Sequence, residues 1–314
     1  MRHWIEAARI RTLPLSVSGI LLGSFYAMSQ SNFNWKIVFF ALTTTLGLQV
    51  LSNFANDYGD GVKGTDNADR IGPTRAIQSG TITPKQMKRA MIITSVLTMI
   101  SAILLIYCSF KDKYLLYSFA FVVLGFLAIA SAIRYTVGNT AYGYRGYGDV
   151  FVFVFFGLVS TLGIYFMFMK EIDTLLILPA VAMGFLSVGV LNLNNMRDEE
   201  SDRKANKNTV VVKIGGAKAR VYHYFLVVSA MVLVVLFAVL ANFQFDQYLF
   251  LIVYVPLTAH LIRVRKTADP KNLDPELKRL ALSTFFLSVL LSLSLIFFFQ
   301  DIIVQIVNAL YQNI

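Results

Sequence analysis

The sequence predicts an all-α membrane protein: a bundle of nine transmembrane helices with two Asp-rich cytoplasmic loops, after helices 2 and 6. Three observations predict it. The 314-residue chain is 56% hydrophobic and only 15% charged, with a mean hydropathy of +0.63, whereas a soluble domain is nearer half apolar and one quarter charged. Apolar runs close to the roughly 20 residues that cross a bilayer as a helix recur nine times. Threading those runs back and forth also places the basic residues almost entirely on one side.

The runs are Leu13–Ser29, Ile37–Phe54, Lys88–Phe110, Tyr114–Arg134, Asp149–Lys170, Thr174–Leu193, Val221–Ala241, Gln247–Val264 and Arg279–Phe299. They are too long for barrel strands and do not alternate. The segment before the first run, "MRHWIEAARIRT", has the basic start of a signal peptide. Arg9 and Arg11 abut the apolar run and no clear cleavage site closes it, so the run is expected to remain as helix 1. With the N-terminus inside, 24 of the 28 Lys and Arg residues fall in inside segments and four (Lys36, Lys111, Lys113, Lys170) outside. That asymmetry obeys the positive-inside rule and places the C-terminus outside. The net charge of +10 therefore reads as topology and not as nucleic-acid affinity. One integral membrane domain over residues 1–314 is expected, with the lipid bilayer as its surroundings.

Cys108 is alone, so no intramolecular disulfide is possible, and it reads as an apolar filler. His3, His223 and His260 are scattered without zinc spacing and read as packing or interfacial residues.

Two inside loops stand out. After run 2, "NDYGD" places Asn56 and Asp60 four apart, with Asp57 between them and Asp66 and Asp69 following. After run 6, "NNMRDEESD" places Asn194, Asp198 and Asp202 at successive steps of four. On a helix, steps of four share one face. Oxygen donors without Cys or His favour a hard cation, and Mg²⁺ takes one or two carboxylates with water and phosphate oxygens completing its shell. Arg11, Lys63, Arg70, Arg75, Arg197, Arg203, Lys204 and Lys207 surround these acids. Acids, bases and a metal together suit a bound diphosphate. A solvated, topology-setting loop is the plainer reading of either set alone; the same step-four pattern twice, on one side, weighs against it. A secondary transporter is disfavoured because its ionisable groups usually lie near mid-membrane, whereas these cluster at one face.

Several stretches resemble the UbiA superfamily of intramembrane prenyltransferases: "RTLPLSVSGILLG" (11–23), "NDYGDGVKGTD" (56–66), "GPTRAIQSG" (72–80), "YTVGNTAYGYRGYGDVFVFVFFG" (135–157) and "NNMRDEESDRKANKNT" (194–209). They are most similar to the branch that prenylates 1,4-dihydroxy-2-naphthoate. The sequence departs from the general pattern at Gly64, where the superfamily has an Asp and this chain has Asp66 two positions later, a shift shared by the naphthoate branch. It departs again at Asp149, where "GYGD" replaces a Glu-containing motif, and at Asn206–Lys207, which replaces a Gly–Lys pair.

The resemblance implies transfer of a polyprenyl chain from polyprenyl diphosphate to the naphthoate, with loss of CO₂ and diphosphate and with two Mg²⁺ ions. It makes Asn56, Asp57, Asp60, Asp66, Asn194, Asp198 and Asp202 candidate metal ligands. Arg11, Lys63, Arg75 and Lys207 become candidate phosphate contacts. Arg145 and Asp149 are candidates for the acceptor, with Asp60, Asp198 and Asp202 serving the diphosphate step. Asp149 also suits the N-terminus of helix 5, where an acid is favourable. Tyr135 and Tyr147 are candidates to shield an allylic cation. Another aromatic acceptor, such as 4-hydroxybenzoate, is the alternative. A bacterial cytoplasmic membrane, with N-terminus and site inside, is the expected location.

Overall fold

The computed structural model describes residues 2–30, 32–65 and 74–296. Among these there is no strand. The long helices are α1 (Leu13–Ser29), α2 (Trp35–Lys63), α3 (Pro84–Phe110), α4 (Leu115–Arg134), α5 (Gly148–Met169), α6 (Ile177–Arg197), α7 (Gly216–Leu240), α8 (Phe245–Lys266) and α9 (Asp274–Ile296). Eight described helices are long and apolar enough to cross a bilayer; α1 makes a ninth if it is joined with the short helix Arg2–Ala8 before it, from which it is bent by 55°.

Local chemistry sets the helix ends. Asn34 caps α2 by accepting the Lys36 N–H. Thr83 and Gln86 cap α3 reciprocally, with Pro84 in its first turn, so α3 starts four residues before the predicted apolar run. α2 runs nine residues past the predicted Phe54 and stops at Lys63, because Gly64 takes a left-handed conformation (φ 71°) that closes the helix. Asn56 and Asp60 therefore lie on a helix and not in a loop. At the other motif α6 runs through Arg197, Asp198 ends it, and a second short helix (Glu199–Lys204) follows at once. The middle of α5, Phe153–Gly163, winds as a wider π-helix, a form that recurs at functional sites.

The helices pack as a ring: α2 against α3, α3 and α2 against α4, α5 against α6, α6 against α7 and α9, and α9 back against α1. Small residues allow the closest approach. A Cβ on Gly157 of α5 would stand 2.6 Å from the Gly184 Cα of α6, so the two backbones touch there. The main apolar core runs through α1–α3 and α5–α9, with Leu22, Leu186, Phe237 and Leu287 fully buried. A smaller core (Ala7, Leu51, Phe54, Ala76, Met87) packs the N-terminal helix and the 74–80 turn under α2 and α3.

The histidines are not all scattered. His223 of α7 and His260 of α8 meet Nε2 to Nε2 at 2.9 Å, both fully buried. His260 Nδ1 lies 2.7 Å from Glu276 of α9, which also accepts from Arg263 and Arg279. This network ties the last three long helices together.

Candidate active site

One cavity of about 390 Å³ runs down the inside of the ring. At its polar end Asn56 and Asp60 of α2 face Asn194 and Asp198 of α6, Asp202 of the short helix, and Lys207. Its other walls are apolar: Ile20, Leu105, Ile106, Phe156, Ile164 and Met167, among others. The step-four spacing does what helices require, since both Asn/Asp sets turn one face to this cavity. Asp60 and Asp202 are each 4% exposed.

The acids and bases are already partly matched. Asp60 accepts the Tyr144 hydroxyl at 2.7 Å. Lys207 lies 3.4 Å from Asp202, and its N–H bonds the Asp202 carbonyl at 2.8 Å. Burial pushes Asp202 up to about 6, with Lys207 opposing and Asp198 adding to the rise. Burial disfavours the Lys207 ammonium, but Asp60 and Asp202 outweigh this and hold it above the ordinary lysine range. Asn56 Oδ1 and Asp202 Oδ2 are buried, and neither has a hydrogen-bond partner. Two orphaned oxygen acceptors at the mouth of a cavity suit a hard cation. No group of three or more His, Cys, Asp or Glu side chains among the described residues could hold a metal by itself. The donor set thus fits Mg²⁺ whose remaining positions are filled by water and phosphate oxygens, the usual pattern for that ion.

Other candidates fall elsewhere. Asp57 turns away from the cavity, and its oxygens accept the Ala76 and Ile77 N–H groups at 3.1 and 3.3 Å. It anchors the 74–80 turn, because the residue after Asn56 points to a different side of α2. Lys63 also leaves the cavity: its Nζ donates to the Thr136 carbonyl at 2.7 Å and sits over the Tyr144 ring at 4.0 Å. Arg145 is exposed and lines a separate, more open pocket with Lys63, Thr65 and Tyr144. Asp149 is buried in the first turn of α5 and accepts the Tyr222 hydroxyl at 3.2 Å, away from the cavity lining. Tyr147 is 57% exposed and likewise off the lining. Arg75 and Tyr135 do line the cavity; burial pushes the Tyr135 phenol up to about 12. Asp66 and the Arg11 side chain lie outside the described residues.

Residues that spacing did not single out complete the site. Tyr142 and Phe151 stack at 3.9 Å and line the cavity beside Tyr135 and Phe155. Tyr144 joins the two motifs. Arg9, in a left-handed turn (φ 51°), and Lys278 of α9 line the cavity as well. Nothing in a lone aromatic or a basic residue before an apolar run distinguishes these from packing or topology residues.

A charged mouth with oxygen donors and paired bases, opening onto an apolar shaft among membrane helices, has the chemistry to take an amphiphile with an anionic head. The chain belongs to the UbiA prenyltransferase family, whose model matches residues 16–297. It is 42% identical over 298 residues to a 1,4-dihydroxy-2-naphthoate octaprenyltransferase of Haemophilus influenzae, covering 94% of this chain and 96% of that one. To the enzyme of the same description from Escherichia coli it is 43% identical over 278 residues, covering 88% and 89%. Its fold is similar to the structure of a UbiA homolog from Archaeoglobus fulgidus bound to GPP and Mg²⁺, with a TM-score of 0.64 at 12% identity, over 92% of this chain and 99% of that one.

Proposed function

We propose that this chain is an integral membrane enzyme that transfers a polyprenyl group from polyprenyl diphosphate to 1,4-dihydroxy-2-naphthoate, releasing diphosphate and CO₂. The observation that carries the reading is the facing pair of Asn/Asp sets at the mouth of an apolar shaft, in a chain 42–43% identical to enzymes described by that activity.

The residues divide the work by position. Asn56, Asp60, Asn194, Asp198 and Asp202 are the metal-facing oxygens. Two Mg²⁺ ions held there and by the diphosphate would neutralise its charge and improve it as a leaving group. Lys207 and Arg75 bind phosphate oxygens, and Arg9 and Lys278 extend the basic rim. The prenyl tail lies along the apolar wall. When the allylic C–O bond breaks, its electron pair leaves with the diphosphate. Tyr135, Tyr142, Phe151 and Phe155 offer ring faces to the allylic cation and keep water from it. A ring carbon of the acceptor then bonds to the cation. As CO₂ departs, the ring–carboxylate bonding pair returns to the ring, so the charge balances without an external base. The polar mouth faces the cytoplasm on the positive-inside rule, in a bacterial cytoplasmic membrane.

The test is transfer from labelled polyprenyl diphosphate by purified protein, with and without Mg²⁺, to the naphthoate and to 4-hydroxybenzoate in parallel. We expect EDTA to abolish transfer, Mg²⁺ to restore it, and the naphthoate to be preferred with one CO₂ per product. Preference for 4-hydroxybenzoate would overturn the acceptor assignment and leave the prenyl transfer standing.

A further inference from the structure

We propose that Tyr144 is a positioning residue that locks the two acidic motifs into one diphosphate site. The inference rests on the reading above that those motifs bind a prenyl diphosphate. Three inside segments converge on this residue. The turn Tyr142–Arg145 follows α4, and its backbone is docked on the segment after α6. There the Asn208 N–H donates to the Tyr144 carbonyl at 3.0 Å, and Lys213 Nζ donates to the Arg145 carbonyl at 2.6 Å.

The side chain then reaches the first motif. Its hydroxyl donates to Asp60 Oδ1 at 2.7 Å. A phenol has one proton, so Thr65, 2.6 Å away, must donate to the Tyr144 oxygen. Thr65 and Asp60 flank the end of α2, and Tyr144 therefore fixes the Asp60 carboxylate from the cavity's outer side. The ring meets the second motif through Lys207, whose Nζ lies 5.7 Å from its centroid, while Lys63 Nζ, at the end of the first motif's helix, lies 4.0 Å from it. Lys207 in turn pairs with Asp202. Asp60, Tyr144, Lys207 and Asp202 thus form one connected line across the mouth.

The hydroxyl and the ring make separable contributions. Tyr144→Phe keeps the ring beside both lysines and removes only the donor to Asp60. A bond to a charged group in a buried site is worth about a tenfold change or more. The probe is geranyl S-thiolodiphosphate, a non-ionising diphosphate, titrated onto detergent-purified protein in MgCl₂. We expect Tyr144→Phe to weaken its binding about tenfold and to raise the Mg²⁺ needed for half-saturation. The KM for the aromatic acceptor should stay within about twofold, and the unfolding temperature without ligand should fall by no more than about 2–4 °C. Thr65→Val, which removes the donor to Tyr144, should shift the same two quantities in the same direction by less. Binding by Tyr144→Phe within twofold of wild type, with unchanged Mg²⁺ dependence, would show that the ring merely packs and would sink the inference alone. If the wild-type protein itself showed no Mg²⁺-dependent binding, the diphosphate reading would fall and this inference with it.

Discussion

Arg197 and Asp198 are adjacent in the chain, and the guanidinium of one grips the carboxylate of the other through two hydrogen bonds, 2.8 Å from Nε and 2.6 Å from Nη2. The same guanidinium donates to Asn194 at 2.9 Å and to Asp274 at the start of α9. Asp198 therefore enters the cavity as half of a buried pair and not as a lone acid. Replacing Arg197 by Met leaves that carboxylate buried without its counter-charge, which should cost about 3–5 kcal/mol of stability. Arg197→Lys keeps the charge but not the planar fork. It should fold, yet transfer at least about tenfold more slowly. Thermal unfolding in detergent, with turnover measured on the folded fraction, separates the two effects.

Asp57 and Asp60 lie three positions apart on α2 and should respond differently. Asp60→Asn keeps shape and loses charge at the cavity mouth, and transfer should fall by about a hundredfold or more, as when a charge-stabilising group is removed from an active site. Asp57→Ala strands the Ala76 and Ile77 N–H groups instead. It should lower stability by about 1–3 kcal/mol and leave the Mg²⁺ requirement unchanged. Equal loss of Mg²⁺ response in both variants would contradict the orientation of Asp57.

The site should be sensitive to mild acid. Asp202 is raised to about 6 by burial, so its protonated form grows as pH falls through that value, and a proton then competes with the metal. The Mg²⁺ concentration for half-maximal transfer should rise as pH drops from about 7.5 to 5.5, and fall again as pH rises. In Asp202→Asn, assayed by binding of the prenyl diphosphate analogue, that pH dependence should disappear. A flat Mg²⁺ response across this range in the wild type would refute the assignment.

The Glu276–His260–His223 network lies outside the cavity lining and should act on stability alone. Glu276→Gln removes the charge that faces Arg263 and Arg279 and turns one of the two acceptor oxygens shared among His260, Arg263 and Arg279 into a donor, at a cost of about 3 kcal/mol. Turnover per folded molecule should stay within about twofold of wild type. A large drop in turnover with unchanged unfolding temperature would place the network in the reaction.

The bilayer makes the helices legible. In lipid every backbone polar group must be satisfied within its own segment, so long apolar runs can only be helices, and Leu13–Ser29 was readable to the residue. The step-four Asn/Asp sets were readable for a related reason, since helical periodicity decides that Asn56 and Asp60 share a face of α2, whereas Asp202 joins Asn194 and Asp198 from the separate short helix that follows α6. Where a helix ended was less visible: α2 continues to Lys63 through residues too polar for an apolar run, because the closing signal is the backbone freedom of Gly64.

Composition and spacing by themselves thus determined the class of fold, the number of apolar runs and the two faces that meet at the cavity mouth. Only the tertiary structure decided which neighbours of those faces line the cavity. Asp57, Lys63, Asp149 and Tyr147 carry the right chemistry but point to a turn, a carbonyl, a neighbouring tyrosine and the surface. Tyr144, Arg197 and the pair His223–His260 enter their networks through contacts 84, 77 and 37 positions distant in the chain. The direction of a side chain follows from its local helix, but its partner follows from how separate helices pack, and no local periodicity encodes that.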